Sequence, residues 1–212
     1  MLADLAAVDP DLTMSVPPAV TAATGVDALV HCVEAFTSKK AHPAIDLYAL
    51  EGARLVGRFL RRAVENGDDA EARAGLSLAS MYGGFCLGPV NMTAGHAVAY
   101  PLGARHHIPH GHACAAIFPH ALAHNAPSQS EKTDLVLEAL GPPAGLAPQA
   151  IVETLTAWCA DLGVGMRMSK IGVPHEDPPA MAQEAHAIRR LLDNNPRDLR
   201  QDEILAIYHA AF

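Results

Sequence analysis

The chain has 212 residues, of which 50% are apolar, 5% are aromatic and 18% are charged, and its formal net charge is −8 at pH 7. This length can bury a sizeable core, and the acidic balance without a Lys/Arg block argues against nucleic acid or an anionic membrane surface as a partner. The four cysteines are far apart and show no CxxC spacing. We therefore expect reduced core cysteines in a cytoplasmic protein, and no disulfide framework.

The N-terminal segment, residues 1–20, is expected to be extended or turning, because Pro10 and the pair Pro17-Pro18 interrupt a short apolar lead. No basic leader is present and no apolar run is judged long enough to span a membrane, which favours a soluble protein. Residues 21–24 contain two threonines that are suited to cap a helix.

A helix is predicted over residues 25–36, where Val26, Leu29, Val30 and Val33 follow helical spacing. Asp27 and His31 lie four residues apart, so this helix presents both on one face. A surface Asp–His contact accounts for such a pair on its own. Two ligands of a metal ion on adjacent turns are the alternative.

The rest of the chain is predicted as further helices joined by Pro/Gly-rich turns. The predicted helices cover residues 44–64, 70–85, 90–100, 109–124, 132–140, 150–162, 180–192 and 201–212. In the second helix Leu47, Leu50, Leu55, Val56 and Leu60 are expected to point inward. Pro101 and Gly103 are expected to loosen the fourth helix. No strand alternation, GxGxxG or Walker sequence is present, so the sequence predicts an all-α domain.

Residues 95–120, GHAVAYPLGARHHIPHGHACAAIFPH, hold six of the twelve histidines. Imidazole is the commonest protein ligand of transition metals. His96 and His110, from two different helices, would complete a set of three imidazoles and one carboxylate with Asp27 and His31. Such a set suits Fe²⁺ or Zn²⁺. Spacing alone does not select these two histidines over the alternatives, which are His106, His107, His112, His120 and His124.

The stretch TGVDALVHCVEAF, taken with the histidine-rich segment, resembles the metal-binding helical half of the iron-containing (group III) alcohol dehydrogenase family. The stretches VDPDLTMSVPPAVTAATG and NNPRDLRQDEILAIYHAAF resemble the start and the end of that half. The resemblance implies a helical bundle like the C-terminal domain of the dehydroquinate synthase-like fold. Residues 1–20 would enter this domain and residues 21–212 would form it. It also implies that Asp27, His31, His96 and His110 hold the ion.

The resemblance further implies hydride transfer between a small-molecule alcohol or carbonyl substrate and NAD(P), with Fe²⁺ or Zn²⁺ polarising the substrate oxygen. The family's N-terminal Rossmann-like nucleotide domain is expected to be absent from this chain. Many relatives carry a histidine where this chain has Tyr100, which is therefore the candidate catalytic side chain. The stretch FCLGPVNM resembles the maleylacetate reductase branch, although that branch tends to lack the aspartate that Asp27 provides.

Three functions are weighed against one another. The first is the catalytic metal domain of an alcohol dehydrogenase or carbonyl reductase. The second is a truncated, non-catalytic remnant that serves as a metal-binding or interaction module, and the third is a metal-dependent lyase or hydrolase. No HExxH helix supports a hydrolase. Self-association into a homo-oligomer is left open, since loss of a partner domain would expose apolar surface.

Overall fold

The computed structural model of the chain describes residues 4–212, and its regular structure there is helical throughout. The α-helices are α1 Pro18–Thr37, α2 Pro43–Glu65, α3 Ala70–Leu87, α4 Ala94–His106, α5 His110–Asn125, α6 Ser130–Leu140, α7 Pro148–Ala160, α8 Pro178–His186, α9 Arg189–Leu192 and α10 Gln201–Ala210. Short 3₁₀ helices lie at Pro10–Thr13, Ala126–Ser128 and Met168–Lys170. The prediction of an all-α helical bundle is confirmed.

Helix α1 is the centre of the bundle and packs against α2, α3 and α5. Val26, Leu29, Val30 and Val33 are buried in the core, as their spacing predicts. Contrary to the expectation from sequence, α1 is by length and composition apolar enough to cross a membrane. Because 61% of that stretch is buried inside the bundle, it serves here as a core helix.

Helix α1 starts earlier than predicted. Pro17 occupies its N-cap and Pro18 its first turn, where the missing N–H of proline costs nothing. The expectation that residues 21–24 cap the helix is therefore wrong. Thr24 lies inside the helix and its hydroxyl donates to the carbonyl of Val20 at 2.8 Å.

Two other expectations about local structure are wrong. Pro101 does not loosen α4, which continues for another turn and ends where His107 adopts a left-handed conformation with φ of 55°. Pro101 is buried, so its packing offsets the hydrogen bond that a proline cannot make. Leu47 does not point inward, because 74% of its surface is exposed. The helix predicted over residues 180–192 is divided into α8 and α9.

Two glycines allow the ends of α4 and α5 to approach α1 closely. A Cβ atom on Gly111, the second residue of α5, would lie 2.6 Å from the carbonyl oxygen of Ala23 in α1. A Cβ atom on Gly95 in α4 would lie 2.9 Å from Oε1 of Glu34, also in α1. Larger side chains at these two positions would push the helices apart. The first turns of α4 and α5 thus meet on one face of α1.

Candidate metal centre

The four predicted ligands are drawn together where α1, α4 and α5 meet. Asp27 Oδ1 lies 3.5 Å from His96 Nε2 and 3.6 Å from His110 Nε2. The ring of His31, one turn after Asp27, stacks on the ring of His96 with centroids 4.6 Å apart. The helical spacing on α1 explains why Asp27 and His31 share this face, and the close approach of α4 and α5 supplies the two later histidines.

Two atoms of this cluster have no hydrogen-bond partner in the described part of the chain. They are Oδ1 of Asp27 and Nε2 of His96, both fully shielded from solvent. Buried polar atoms are nearly always hydrogen-bonded, since an unsatisfied one is costly. An acceptor lone pair on each atom, directed at the same space, is the arrangement that a divalent cation would satisfy. The residues present therefore fit a metal ion.

A cysteine also belongs to the cluster. Single donor atoms of Asp27, His96, His110 and Cys114 all lie within 4.8 Å of one another. Cys114 Sγ lies 3.7 Å from His110 Nε2, one turn along α5. The sequence predicts Cys114 only as a small core residue, and its spacing of four residues from His110 was the signal that could have identified it. Burial raises the pKa of this thiol to about 12.

A second residue missed by sequence reasoning, Glu34, holds His96 in place. The Nδ1–H of His96 donates to Oε2 of Glu34 at 2.5 Å, and the side chain of Glu34 is only 7% exposed. Oε1 of the same carboxylate accepts from the Thr93 hydroxyl at 2.8 Å and from the backbone N–H of Gly95 at 2.5 Å. Asp27, His31 and Glu34 are spaced by four and three residues, so the helical period of α1 was the available signal.

The hydrogen bonds of Glu34 serve two structural purposes. Its carboxylate lies at the N-terminus of α4, where Thr93 at the N-cap makes no side-chain capping bond of its own. A negative charge there satisfies free backbone N–H groups and complements the helix dipole. The bond to Nδ1 also fixes the tautomer of His96, so that Nε2 carries the lone pair that faces Asp27.

The electrostatics of the cluster favour ionised acids. Burial raises the pKa of Glu34, but the neighbouring His96 and the hydroxyl of Thr93 outweigh burial, and the net pKa is lowered. Burial likewise raises the pKa of Asp27, and the three surrounding imidazoles lower it further than burial raises it. For His96 burial lowers the pKa, and the carboxylates of Glu34 and Asp27 more than reverse this effect. Two buried carboxylates beside three imidazoles form a site with a strong preference for positive charge.

Tyr100 lies at the edge of the cluster, one turn after His96. Its ring centroid is 6.2 Å from that of His96 and 6.0 Å from that of His110. The guanidinium of Arg190, at the start of α9, lies 5.9 Å from the centre of the Tyr100 ring. The phenol therefore stands beside the donor atoms without belonging to them.

Several histidines that spacing left open make contacts elsewhere. His106 Nε2 lies 3.1 Å from Asp177 Oδ2, which joins α4 to the start of α8. His112 Nε2 donates to the carbonyl of Gly165 at 2.6 Å. His120, in the middle of α5, is buried, and its pKa is lowered by burial. These three imidazoles are separate from the group that includes Asp27.

Comparison with known proteins agrees with the resemblance found in the sequence. Residues 21–212 match the C-terminal part of the Fe-containing alcohol dehydrogenase family. The chain is 39% identical over 217 aligned residues to long-chain-alcohol dehydrogenase 1 of Geobacillus thermodenitrificans, covering 100% of this chain and 55% of that protein.

Solved structures give the same result. A crystal structure of 1,3-propanediol oxidoreductase superimposes with a TM-score of 0.90 and 36% identity, covering 96% of this chain and 55% of that one. Maleylacetate reductase from Rhizobium sp. superimposes with a TM-score of 0.85 and 25% identity over 96% of this chain and 55% of its own. The chain thus spans about half the length of the relatives that it matches.

Proposed function

Since the chain belongs to the iron-containing alcohol dehydrogenase family, we propose that it forms the metal-binding part of a nicotinamide-dependent alcohol dehydrogenase or carbonyl reductase. Residues 21–212 are the proposed metal-binding domain, and residues 1–20 lead into it. The proposed substrate is a small-molecule alcohol or carbonyl compound, handled in the cytoplasm, where the buried free cysteines would stay reduced.

The proposed ligands are Asp27, His31, His96 and His110. The observation that carries this proposal is the convergence of donor atoms from three helices, with Oδ1 of Asp27 and Nε2 of His96 both buried and unpartnered in the described chain. A set of imidazoles and a carboxylate binds either Fe²⁺ or Zn²⁺. When bound, such an ion acts as a Lewis acid that polarises the oxygen of an alcohol or a carbonyl group.

The chain's own residues prepare this chemistry. Glu34 holds the proton on Nδ1 of His96, so that the Nε2 lone pair stays available and correctly directed. The core side chains of α1 exclude water from one side of the cluster, while the half-exposed His110 borders solvent on the other. A substrate would therefore approach from the side of His110 and Tyr100.

Tyr100 is the proposed catalytic side chain. Its phenol lies within reach of an oxygen bound beside His96 and His110, and it can donate a hydrogen bond to that oxygen. If so, replacing Tyr100 with phenylalanine in an active preparation lowers kcat while the metal content stays unchanged. A loss of metal from the Tyr100→Phe variant would instead assign the residue a structural role.

NAD(P) is implied by the family as the hydride partner. The sequence contains no GxGxxG loop, and we assign none of the described residues to the dinucleotide. The proposal for this chain accordingly concerns the metal and the substrate oxygen.

Elemental analysis of protein purified without chelators tests the proposed function. We expect about one equivalent of iron or zinc per chain, and almost none in the double variant Asp27→Ala/His110→Ala. His209→Ala, which removes an exposed histidine on α10, is the matched control and should bind as the wild type does. A wild-type chain that holds no metal even after reconstitution would contradict the proposal.

A further inference from the structure

We propose that the thiolate of Cys114 binds the metal ion directly, together with Asp27, His96 and His110, and so adds a soft sulfur donor that favours zinc over iron. This inference rests on the proposed metal site and extends it. It adds a ligand that the resemblance to the family does not supply.

The distances between donor atoms match those around a four-coordinate ion. Two nitrogen or oxygen donors, each about 2.1 Å from a tetrahedral ion, lie about 3.4 Å from each other. Asp27 Oδ1 lies 3.5 Å from His96 Nε2 and 3.6 Å from His110 Nε2. A sulfur donor at about 2.3 Å from the ion would lie about 3.6 Å from such a nitrogen. The observed separation of Cys114 Sγ from His110 Nε2 is 3.7 Å.

The surroundings of the thiol leave it free for this role. Cys114 follows His110 by one turn of α5, so both side chains face the same side of the helix. Its neighbours Ala113 and Ala115 are buried in the core, and the described contacts of Sγ are with the His110 ring. The fully buried Nε2 of His96, which lacks a partner, is an independent sign that these side chains surround a ligand.

The chemistry of the donor set determines the preferred ion. Thiolates are soft ligands that select Zn²⁺, whereas carboxylates and imidazoles alone accept Fe²⁺ as readily. Binding forms a metal–sulfur bond, releases the thiol proton to solvent and changes no oxidation state. The expected centre therefore mixes one sulfur with nitrogen and oxygen donors.

Cobalt substitution tests the proposal through an optical signal that does not depend on catalysis. The chain is reconstituted with Co²⁺, and its absorption is recorded in the visible range and in the near ultraviolet. A thiolate ligand gives a sulfur-to-cobalt charge-transfer band in the near ultraviolet, whereas imidazole and carboxylate ligands give visible bands alone. We expect both features in the wild type and loss of the near-ultraviolet band in Cys114→Ser.

The controls separate this inference from the proposed function. Cys159→Ser, which changes a buried cysteine on α7, should keep both bands. If the wild type binds no Co²⁺, the metal site itself is refuted. If it binds Co²⁺ and shows visible bands without the charge-transfer band, or keeps that band in Cys114→Ser, only the thiolate ligand is refuted. A lower ratio of zinc to iron bound by Cys114→Ser, when both ions are supplied together, would further support the proposal.

Discussion

Replacing Glu34 with glutamine should weaken metal binding although this residue is not among the proposed ligands. Glutamine has the same shape, but its amide group has one acceptor and one donor end. The acceptor oxygen is needed where the backbone N–H of Gly95 and the hydroxyl of Thr93 both donate. The NH₂ group therefore takes the place of Oε2 and faces Nδ1 of His96.

This exchange reverses the tautomer of His96. Nδ1 has to accept from the new NH₂ group, so the ring proton moves to Nε2, the atom that lies 3.5 Å from Asp27 Oδ1. A metal ion then competes with a proton for the lone pair it needs. Loss of a carboxylate that orients a ligating histidine lowers metal affinity about 10- to 100-fold, equivalent to about 1.4 to 2.7 kcal/mol.

The assay is zinc affinity, measured by competition with a chromophoric chelator, together with thermal unfolding of each variant. Glu138→Gln, which neutralises an exposed glutamate on α6, is the matched control and should leave the affinity unchanged. The Glu34→Gln variant should also lose about 1 to 3 kcal/mol of stability, because the N-terminus of α4 loses a charged acceptor. If Glu34→Gln folds and binds zinc as tightly as the wild type, this account of His96 is refuted.

Three further outcomes follow from the packing. Gly111→Ala should destabilise the fold by about 1 to 3 kcal/mol and weaken zinc binding, because its Cβ would meet the backbone of Ala23. Gly84→Ala on α3, where a Cβ meets nothing within 4 Å, should be neutral or stabilising when both are compared by urea unfolding. Asn195→Ala should cost about 3 kcal/mol in the same assay, because it leaves the buried amide of Asn125 without its partner at 2.8 Å. Zinc at a hundredfold excess over its Kd should raise Tm by about 5 to 10 °C, and a chelator should abolish this shift.

The helical fold was largely predictable from the sequence, because the apolar spacing of α1 and the caps and breaks between helices are local signals. Errors arose where a residue type permits two readings. Proline both terminates helices and begins them, so Pro18 was taken for a break although it starts α1. Pro101 was expected to weaken α4, but the packing of a buried helix overrides this local preference.

The candidate site was predictable only in part. Asp27 and His31 lie on one helix, so their proximity follows from the period of that helix. His96 and His110 are brought to them by the crossing of three helices, which spacing along the chain does not encode. Resemblance to a family therefore supplied the choice among seven histidines, and the structure draws those two to Asp27. Cys114 escaped notice since a buried cysteine is ordinarily a core residue.

Glu34 was overlooked for a different reason, and that reason explains how the site keeps its shape. A lone glutamate on a helix is normally solvated, whereas this one is buried and accepts from Thr93, Gly95 and His96 at once. The same carboxylate thus caps α4 and orients its first imidazole. If α4 moved along its axis by one residue, about 1.5 Å, it would break the cap and turn His96 away from Asp27 together. The hydrogen bonds that fix the start of α4 therefore also fix the geometry of the donor atoms, before any ion contributes.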